Sequence, residues 1–481
     1  MSKEYQLEEE EDEGDMTSPE KASDEEIRNF KEEPGDDDGE NRNPTVRNSM
    51  LFTALLVVKG MIGAGILNLP LIFKTFGLIG GSILSLLLTL ISVSAAHLLG
   101  RSKEISQRYS FAVYSKIVMG VTGTILMKGS FFVFCSTLAI VQLIVFGDIL
   151  KGLSLLFCDI NVKILIIGLA IVLLPFMFQK DISGVTKIAH FGIIGLSVFC
   201  FTTIILFINK YLNNKIIYEP KMLYPNGSLK ELFICAGGYY NAFTFHMSYF
   251  SYYLPLKPRN NKTMIKSVII GSIITAIIYA SYGILFFLMY GNNITDSALK
   301  YLQTELDEAS KKKETMIVII LAICFLSFLV NASISTMIHF YLCKSHFIGL
   351  VKFVLQKLSE KNEKKDIPLV DIKEDRKFSD DVQSIKSKKE NEEILSERKQ
   401  NYITFAIYIY VVIMAVSFEK IIILDAFNGA VVCNYINLIS PSIFFLYFAR
   451  KKKLLGEKLI ALLNLALGVG LTLMYLFHNI F

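Results

Sequence analysis

The sequence predicts an all-α polytopic membrane protein with eleven spanning helices. The 481-residue chain is 52% hydrophobic, and its mean hydropathy is +0.46 although two long charged segments dilute it. Windows of 15 to 27 mostly apolar residues recur eleven times, most of them long enough to cross the hydrocarbon core of a bilayer as helices, the fourth being short. Basic residues sit in short caps between these windows, as in loops facing a cytosol.

In order, the windows cover residues 51–76, 79–100, 129–150, 164–178, 191–208, 232–254, 268–290, 316–342, 402–418, 430–448 and 459–477. The first follows 48 polar, acidic residues that contain no signal peptide, so this helix itself is expected to start insertion. A cytosolic N-terminus puts four basic clusters inside: Arg101/Lys103/Arg108/Lys116, Lys180/Lys187, Lys257/Arg259/Lys262/Lys266 and Arg450/Lys451/Lys452/Lys453/Lys458. The sequons at Asn226 and Asn293 then fall in outer loops, and the one at Asn261 falls inside. Eleven spans leave the C-terminus outside.

Charge separates the membrane part from two polar segments. Residues 1–48 carry 18 acidic and 6 basic groups, a net of −12, so the remainder is +17 within a total of +5. Residues 356–400 hold 12 acidic and 12 basic groups with serines between them. Neither segment has apolar periodicity, and both are expected to be disordered and cytosolic. The expected organisation is therefore a disordered tail (1–48), a first five-helix half (49–210), a second half (231–449) carrying the 356–400 insertion, and a last helix (455–481). The basic residues form no single patch, which argues against nucleic acid as a partner. The seven cysteines are scattered without metal or redox spacing. Cys158 falls in an outer loop with no evident partner. No nucleophile–base pair or pair of intramembrane aspartates supports an enzyme, and no stripe of like charges supports a channel. No cofactor is expected.

The first window is interrupted at its centre, which reads Lys59-Gly60-Met61-Ile62-Gly63-Ala64-Gly65-Ile66-Leu67-Asn68-Leu69-Pro70. Each glycine costs a helix about 1 kcal/mol relative to alanine, and a cation within the hydrocarbon is expensive. Unwinding here frees amide N–H groups at the start of the outer half-helix, where positive partial charge suits a carboxylate. Gly60, Gly63, Ala64 and Gly65 are therefore expected to bind substrate through their backbone. Close packing through Gly60 and Ala64 would use the same residues; Lys59 and Asn68-Leu69-Pro70 favour unwinding.

The sixth window has a matching interruption, Gly237-Gly238-Tyr239-Tyr240-Asn241-Ala242-Phe243-Thr244-Phe245-His246, with Pro255 beyond it. Paired interruptions at corresponding positions of two halves point to a transporter site near the bilayer midplane. Phe243, Thr244 and His246 are expected to line that site, with His246 serving either as a lining or titrating group or as a helix–helix hydrogen-bonding group. Lys59 needs a partner. The eighth window offers Asn331, Ser333, Ser335 and Thr336, which would face the ammonium where a coupling cation might otherwise stand; back-bonding to their own helix is the alternative for the serines. Asp148, Glu419 and Asp425 lie near window ends and read as interfacial.

These residues resemble a known family. The Lys-Gly-x-x-Gly-x-Gly-Ile-Leu-x-x-Pro spacing of 59–70 is similar to the first helix of the amino acid/auxin permeases. Phe243-Thr244-Phe245-His246 followed by Leu254-Pro255-Leu256-Lys257, and Gly429-Ala430 followed by Ile439-Ser440-Pro441, resemble that family's sixth and tenth helices. The resemblance spans 50–477 without the insertion. It implies a LeuT-like fold of two inverted five-helix repeats plus one helix, and alternating-access transport of amino acids driven by protons or sodium. Sodium-coupled members have Asn where this chain has Lys59, and lysine there is similar to the proton-coupled and vacuolar or lysosomal branches. Many proton-coupled animal members carry a histidine three residues earlier; here that position is Leu56, so the sequence identifies no proton carrier.

The expected function is secondary transport of neutral or cationic amino acids, with protons as coupling ion. An amino acid sensor that signals through its N-tail to cytosolic regulators, or an uncoupled facilitator or exchanger of the same fold, would use the same pocket. The expected location is the lipid bilayer of the plasma membrane or of a vacuole or lysosome; residues 392–395 match an acidic-dileucine sorting signal poorly.

Overall fold

The computed structural model describes residues 47–179, 183–295, 297–366, 395–418 and 420–480. The acidic tail, most of the 356–400 insertion, most of the dileucine-like stretch and Glu419 lie outside the described residues.

The fold is all-α: the described residues form helices and turns, with one isolated parallel bridge between Asn48 and Leu256. Helix α1 (Met50–Met61) starts at Ser49, whose side chain accepts the Phe52 N–H at 3.2 Å. After a break, a 3-10 turn (Ala64–Asn68) leads into α2 (Leu69–Ser106), which has Pro70 in its first turn, where a missing N–H is harmless. Helix α3 (Phe111–Ser154) and α4 (Val162–Met177) follow, then α5 (Ser183–Leu212). Helix α6 (Leu229–Ala242) opens with a capping box in which Ser228 and Glu231 bond reciprocally. Those bonds from the Ser228 backbone and hydroxyl hold the Glu231 carboxyl below the usual carboxylate range. Next come α7 (Tyr249–Tyr253), α8 (Asn261–Tyr290), α9 (Ala298–Lys311), α10 (Thr315–Asp366) and α11 (Glu397–Ser417). Helix α12 (Ile421–Phe427) continues through two π-helical stretches, Asn428–Cys433 and Tyr435–Ile439, into α13 (Ser440–Phe448), and α14 (Leu455–Ile480) ends the described chain.

Among the described residues, 8 helical stretches have the length and composition to cross a membrane, and the apolar helices Met50–Met61 and Val162–Met177 are shorter. All eleven apolar windows fall on helical backbone, but they divide differently from the expectation. The outer half of the first window and the whole second window share one stretch, Ala64–Ser106, bent at Gly77. The sixth window is split between α6 and the short α7. The tenth starts nine residues earlier than expected, at Ile421 rather than residue 430.

Gly77 makes the reversal between the outer half of the first window and the second. Its φ of 72° with ψ of 170° is a region that side chains avoid, and an added Cβ would lie 2.5 Å from the carbonyl group of Tyr224. The outer loop is docked there by Asn226 and Gly227, whose N–H groups donate to the Thr75 carbonyl at 3.1 and 3.2 Å. Gly77→Ala is therefore expected to cost about 1–3 kcal/mol, read as a lowered Tm of the detergent-purified protein; an unchanged Tm would show that the turn relaxes freely.

Two groups of helices emerge from the packing. Helix α8 packs on α1 and α2, and α2 packs on α6, with α12 against α6. Helices α3, α4, α10 and α11 form a second group, to which α5 adds along α10. The α5–α10 seam is close because it is built on glycine: an added Cβ at Gly192 would sit 3.1 Å from the Asn331 side chain.

Candidate functional site

The first span breaks where the glycines predict it. The last α1 hydrogen bond runs from Ile62 N–H to the Val58 carbonyl at 2.9 Å; Ile62 is extended and Gly63 is non-helical. The next backbone bond is from Ile66 N–H to the Gly63 carbonyl at 3.3 Å, so the N–H groups of Gly63, Ala64 and Gly65 have no backbone partner among the described residues. The side of Gly63 where a Cβ would stand is open for 4 Å, whereas a Cβ on Gly65 would meet the Ala242 Cβ at 3.0 Å. The break in the first span therefore lies against the break in the sixth.

In the sixth span, α6 ends with tight bonds from Phe243 N–H to the Tyr240 carbonyl and from Thr244 N–H to the Asn241 carbonyl, both 3.1 Å. The chain resumes as a single 3-10 turn, His246–Ser248, before α7. Freed backbone groups in a bilayer need protein, solute or a wet cavity as partner. Tyr279 of α8 supplies one partner for both breaks: its hydroxyl stands 2.7 Å from the Met61 carbonyl and 3.1 Å from the Ala242 carbonyl. One donor thus ties the C-terminal ends of α1 and α6 together. Edge contacts among Phe73, Tyr239, Phe243 and Tyr279 fill the space around it.

A polar ladder runs beside the breaks along α12 and its π-helical continuation. Asp425 is 1% exposed and accepts from Asn68 Nδ2 at 2.7 Å and from Asn241 Nδ2 at 2.9 Å. Asn428 Nδ2 donates to Asn241 Oδ1 at 3.2 Å, and Asn437 Nδ2 donates to the Thr244 hydroxyl at 2.9 Å. The π-helical backbone, a form that recurs at functional sites, carries both of these asparagines against α6. Asp425 thus joins three elements: the 3-10 turn after the first break, α6 and α12.

Both sides of the breaks are covered. Towards the predicted cytosol, Asn48 bonds to the turn after α7 through Pro255 (2.8 Å) and Lys257 (2.9 Å), and a Cβ on Gly60 would meet the Tyr252 hydroxyl at 2.8 Å. Towards the predicted outside, α9 packs against the 3-10 turn and α3. Lys74 Nζ donates to the Ile294 carbonyl at 2.7 Å, and Gln303 donates to the Asp148 carbonyl at 2.6 Å. A separate cavity of about 760 Å³, lined by Lys128, Lys344, His346 and Lys352 among others, lies between α3, α10 and α11. It takes no residue from either break.

A family model described as transmembrane amino acid transporter protein matches residues 47–481. The chain belongs to this family, the amino acid/auxin permeases. Its curated relatives include two from Arabidopsis thaliana. "Amino acid transporter AVT6E" is 24% identical over 261 residues, 51% of this chain and 53% of the relative. "Amino acid transporter AVT6C" is 22% identical over 272 residues, 53% of this chain and 61% of the relative. The chain thus spans about half to three fifths of the length of these relatives, 53% and 61%. Solved structures similar to it include a manganese transporter of Eremococcus coleocola (TM-score 0.40, 11% identity, 91% of this chain and 98% of that one). A Na+-coupled sialic acid symporter is also similar (TM-score 0.37, 12% identity, 89% and 95%).

Within this amino acid/auxin permease, Gly60, Gly63, Ala64 and Gly65 all lie at the first break and Phe243, Thr244 and His246 at the second, and the two breaks meet where Gly60 faces Phe245 and Gly65 faces Ala242. Phe243 is 1% exposed, and its carbonyl accepts from Ser92 at 3.1 Å. His246 takes the helix–helix arrangement: Nε2 lies 2.9 Å from the Ser92 carbonyl of α2, which makes it the protonated nitrogen, while Nδ1 has no partner among the described residues. The expected pairing of Lys59 with the eighth window is not formed. Ser333 and Thr336 donate to their own helix, to Leu329 and Ala332 at 2.7 Å each, and Asn331 faces Gly192 of α5. Ser335 is half-buried on that helix. The physical reason is that α10 packs on α3 and α5, whereas α1 packs on α8. Asp425 also departs from expectation: it is buried rather than interfacial, because its helix begins at Ile421. The sequence reading passed over Tyr279, which sits among other tyrosines of an apolar window and carries no distinguishing pattern, and Asn437, which does so for the same reason.

Proposed function

We propose that the protein is a secondary transporter that carries amino acids across a membrane by alternating access, with protons rather than sodium as the driving ion. The observation that carries this reading is the pair of opposed helix breaks, joined at one hydroxyl, between two separately packed helix groups. The N–H groups of Gly63, Ala64 and Gly65, which have no backbone partner among the described residues, suit the substrate carboxylate, and the Cβ side of Gly63 is open. The Met61 and Ala242 carbonyls keep acceptor capacity for the amino group, since each has a second lone pair beyond its bond to Tyr279. Residues 135–143 of α3 with Phe243 and the α10 face would gauge side-chain size. On this reading the two breaks begin the two halves of a LeuT-like pair of five-helix repeats, and the α1–α2–α6–α8 group rocks against the α3–α4–α10–α11 group. Lys59 favours protons, because a fixed ammonium in the last turn of α1 repels sodium from the break.

One proton moving with a zwitterion gains roughly 2.3 kcal/mol per 100 mV, enough for about 50-fold accumulation. The test is uptake of radiolabelled amino acids into proteoliposomes with and without an imposed pH gradient. Saturable uptake, accelerated by the gradient and indifferent to sodium, is the expected result. Absence of saturable uptake of every amino acid ends the transport reading, and sodium dependence ends the proton assignment.

A further inference from the structure

We propose that Asp425 is the proton carrier, and that it takes the proton on Oδ2, the oxygen turned to Asn68 of the first break. This rests on the transport reading above. A carboxyl surrounded by protein inside a membrane span is costly to keep charged unless paired. Here both oxygens face neutral amides, Asn241 on Oδ1 and Asn68 on Oδ2. No Lys, Arg or His lies within ion-pair distance among the described residues. The elements packed on α12 are α3, α6, the 3-10 turn and the π-helical stretch. The titratable groups near Asp425 are the Tyr279 hydroxyl of α8 and the Cys433 thiol. A tyrosine and a thiol remain neutral over the pH range in which a carboxyl exchanges its proton, so neither replaces it.

The network decides which oxygen can change state. Asn241 Oδ1 already accepts from Asn428 Nδ2 at 3.2 Å and from the Cys433 thiol at 3.3 Å. In this arrangement Asn241 presents its NH₂ to Asp425 Oδ1, which makes that oxygen an acceptor for as long as the Asn241 and Asn428 amides keep these orientations. A proton arriving at Asp425 therefore settles on Oδ2 and meets the NH₂ of Asn68, donor against donor. Asn68 must then turn its amide or draw away. Asn68 is the last residue of the 3-10 turn that follows the break. Proton gain thus rewrites the Asn68–Asp425 bond between the first break and α12, and proton loss on the other side restores it. No bond other than O–H forms or breaks.

The experiment uses the full chain in proteoliposomes loaded with an unlabelled mixture of the twenty amino acids, with the ¹⁴C-labelled mixture outside. Two readouts are taken: accumulation driven by an acid-outside gradient, and counterflow at equal pH on both sides across a series of pH values. Asp425→Asn keeps the shape and turns one accepting oxygen into a donor, as protonation would, but has no proton to exchange. It is expected to lose at least about tenfold in gradient-driven accumulation and to show counterflow that no longer changes with pH. Asn68→Ala keeps the carboxyl but removes its partner, and should shift the pH of half-maximal accumulation. Gradient-driven accumulation by Asp425→Asn at the wild-type level overturns the proposal. So does loss of counterflow together with accumulation in a variant that is monodisperse, because the carboxyl would then serve substrate or architecture. If Asp425→Asn does not fold, an unshifted profile in Asn68→Ala overturns it. Failure of wild-type uptake in both readouts would instead remove the transport reading itself.

Discussion

Replacing Lys59 by alanine is expected to remove most uptake while the protein still inserts and folds. Lys59 lies in the last turn of α1, half-buried, and its ammonium has no hydrogen-bond or ion partner among the described residues. Removing it orphans nothing, so the structural cost is the loss of a cation at the negative end of a helix, about 0.3–1 kcal/mol. The functional cost is larger. On the transport reading this ammonium is the fixed cation at the break, balancing the carbonyls that α1 leaves free beside the substrate carboxylate. Uptake is expected to fall more than about tenfold, equivalent to over ~1.4 kcal/mol, with an unchanged gel-filtration profile and a Tm within a few degrees. Wild-type uptake by Lys59→Ala would mean that the side chain merely snorkels toward an interface.

The largest loss of stability is expected at Gly429. A Cβ there would overlap the Gly237 carbonyl oxygen and stand 2.9 Å from the Asn241 N–H nitrogen. Both obstacles are backbone, so relief requires α6 and the π-helical stretch to move apart. That movement opens the Asn241–Asp425 bond and the ladder beside it. Overpacking of this kind costs about 1–3 kcal/mol or more, a sizeable part of the ~5–15 kcal/mol that holds a typical domain together. Gly429→Val should accordingly yield little monodisperse protein, and what survives should melt lower and transport nothing. Gly63→Ala is the matched control: that position has a negative φ and open space where a Cβ would stand, so the variant should fold with a Tm close to wild type. A wild-type Tm for Gly429→Val would show that the helices are not in close contact there.

The break in the first span was legible because it is a local event. Glycines at 60, 63 and 65 lower helix stability wherever they stand, and a lysine next to them makes little sense in lipid without a purpose. The second break was legible for the same reason, from Gly237 and Gly238 and the polar residues that follow. The family resemblance rested on these strings, and the match over residues 47–481 agrees with it. The site was less legible where partners come from afar. Ser333 and Thr336 looked available to Lys59, but a hydroxyl on a helix can always turn to its own carbonyl four residues back, and they do. Asp425 looked interfacial because an averaging window excludes a segment containing Asp and Asn, although the surrounding helices bury it fully.

Sequence alone determined that the chain is helical, that it lives in a bilayer, and where two of its helices open, because each of these follows from residues within a few turns of one another. Tertiary structure decided which groups meet at the openings. Tyr279 lies 218 residues from Met61, and Asp425 lies 357 from Asn68; nothing in the local chemistry of either member of such a pair names the other. Hydropathy fixes which segments enter lipid, whereas their neighbours are chosen by shape, through glycine contacts such as Gly65 on Ala242 and Gly429 on Gly237 that exist only once the helices have packed.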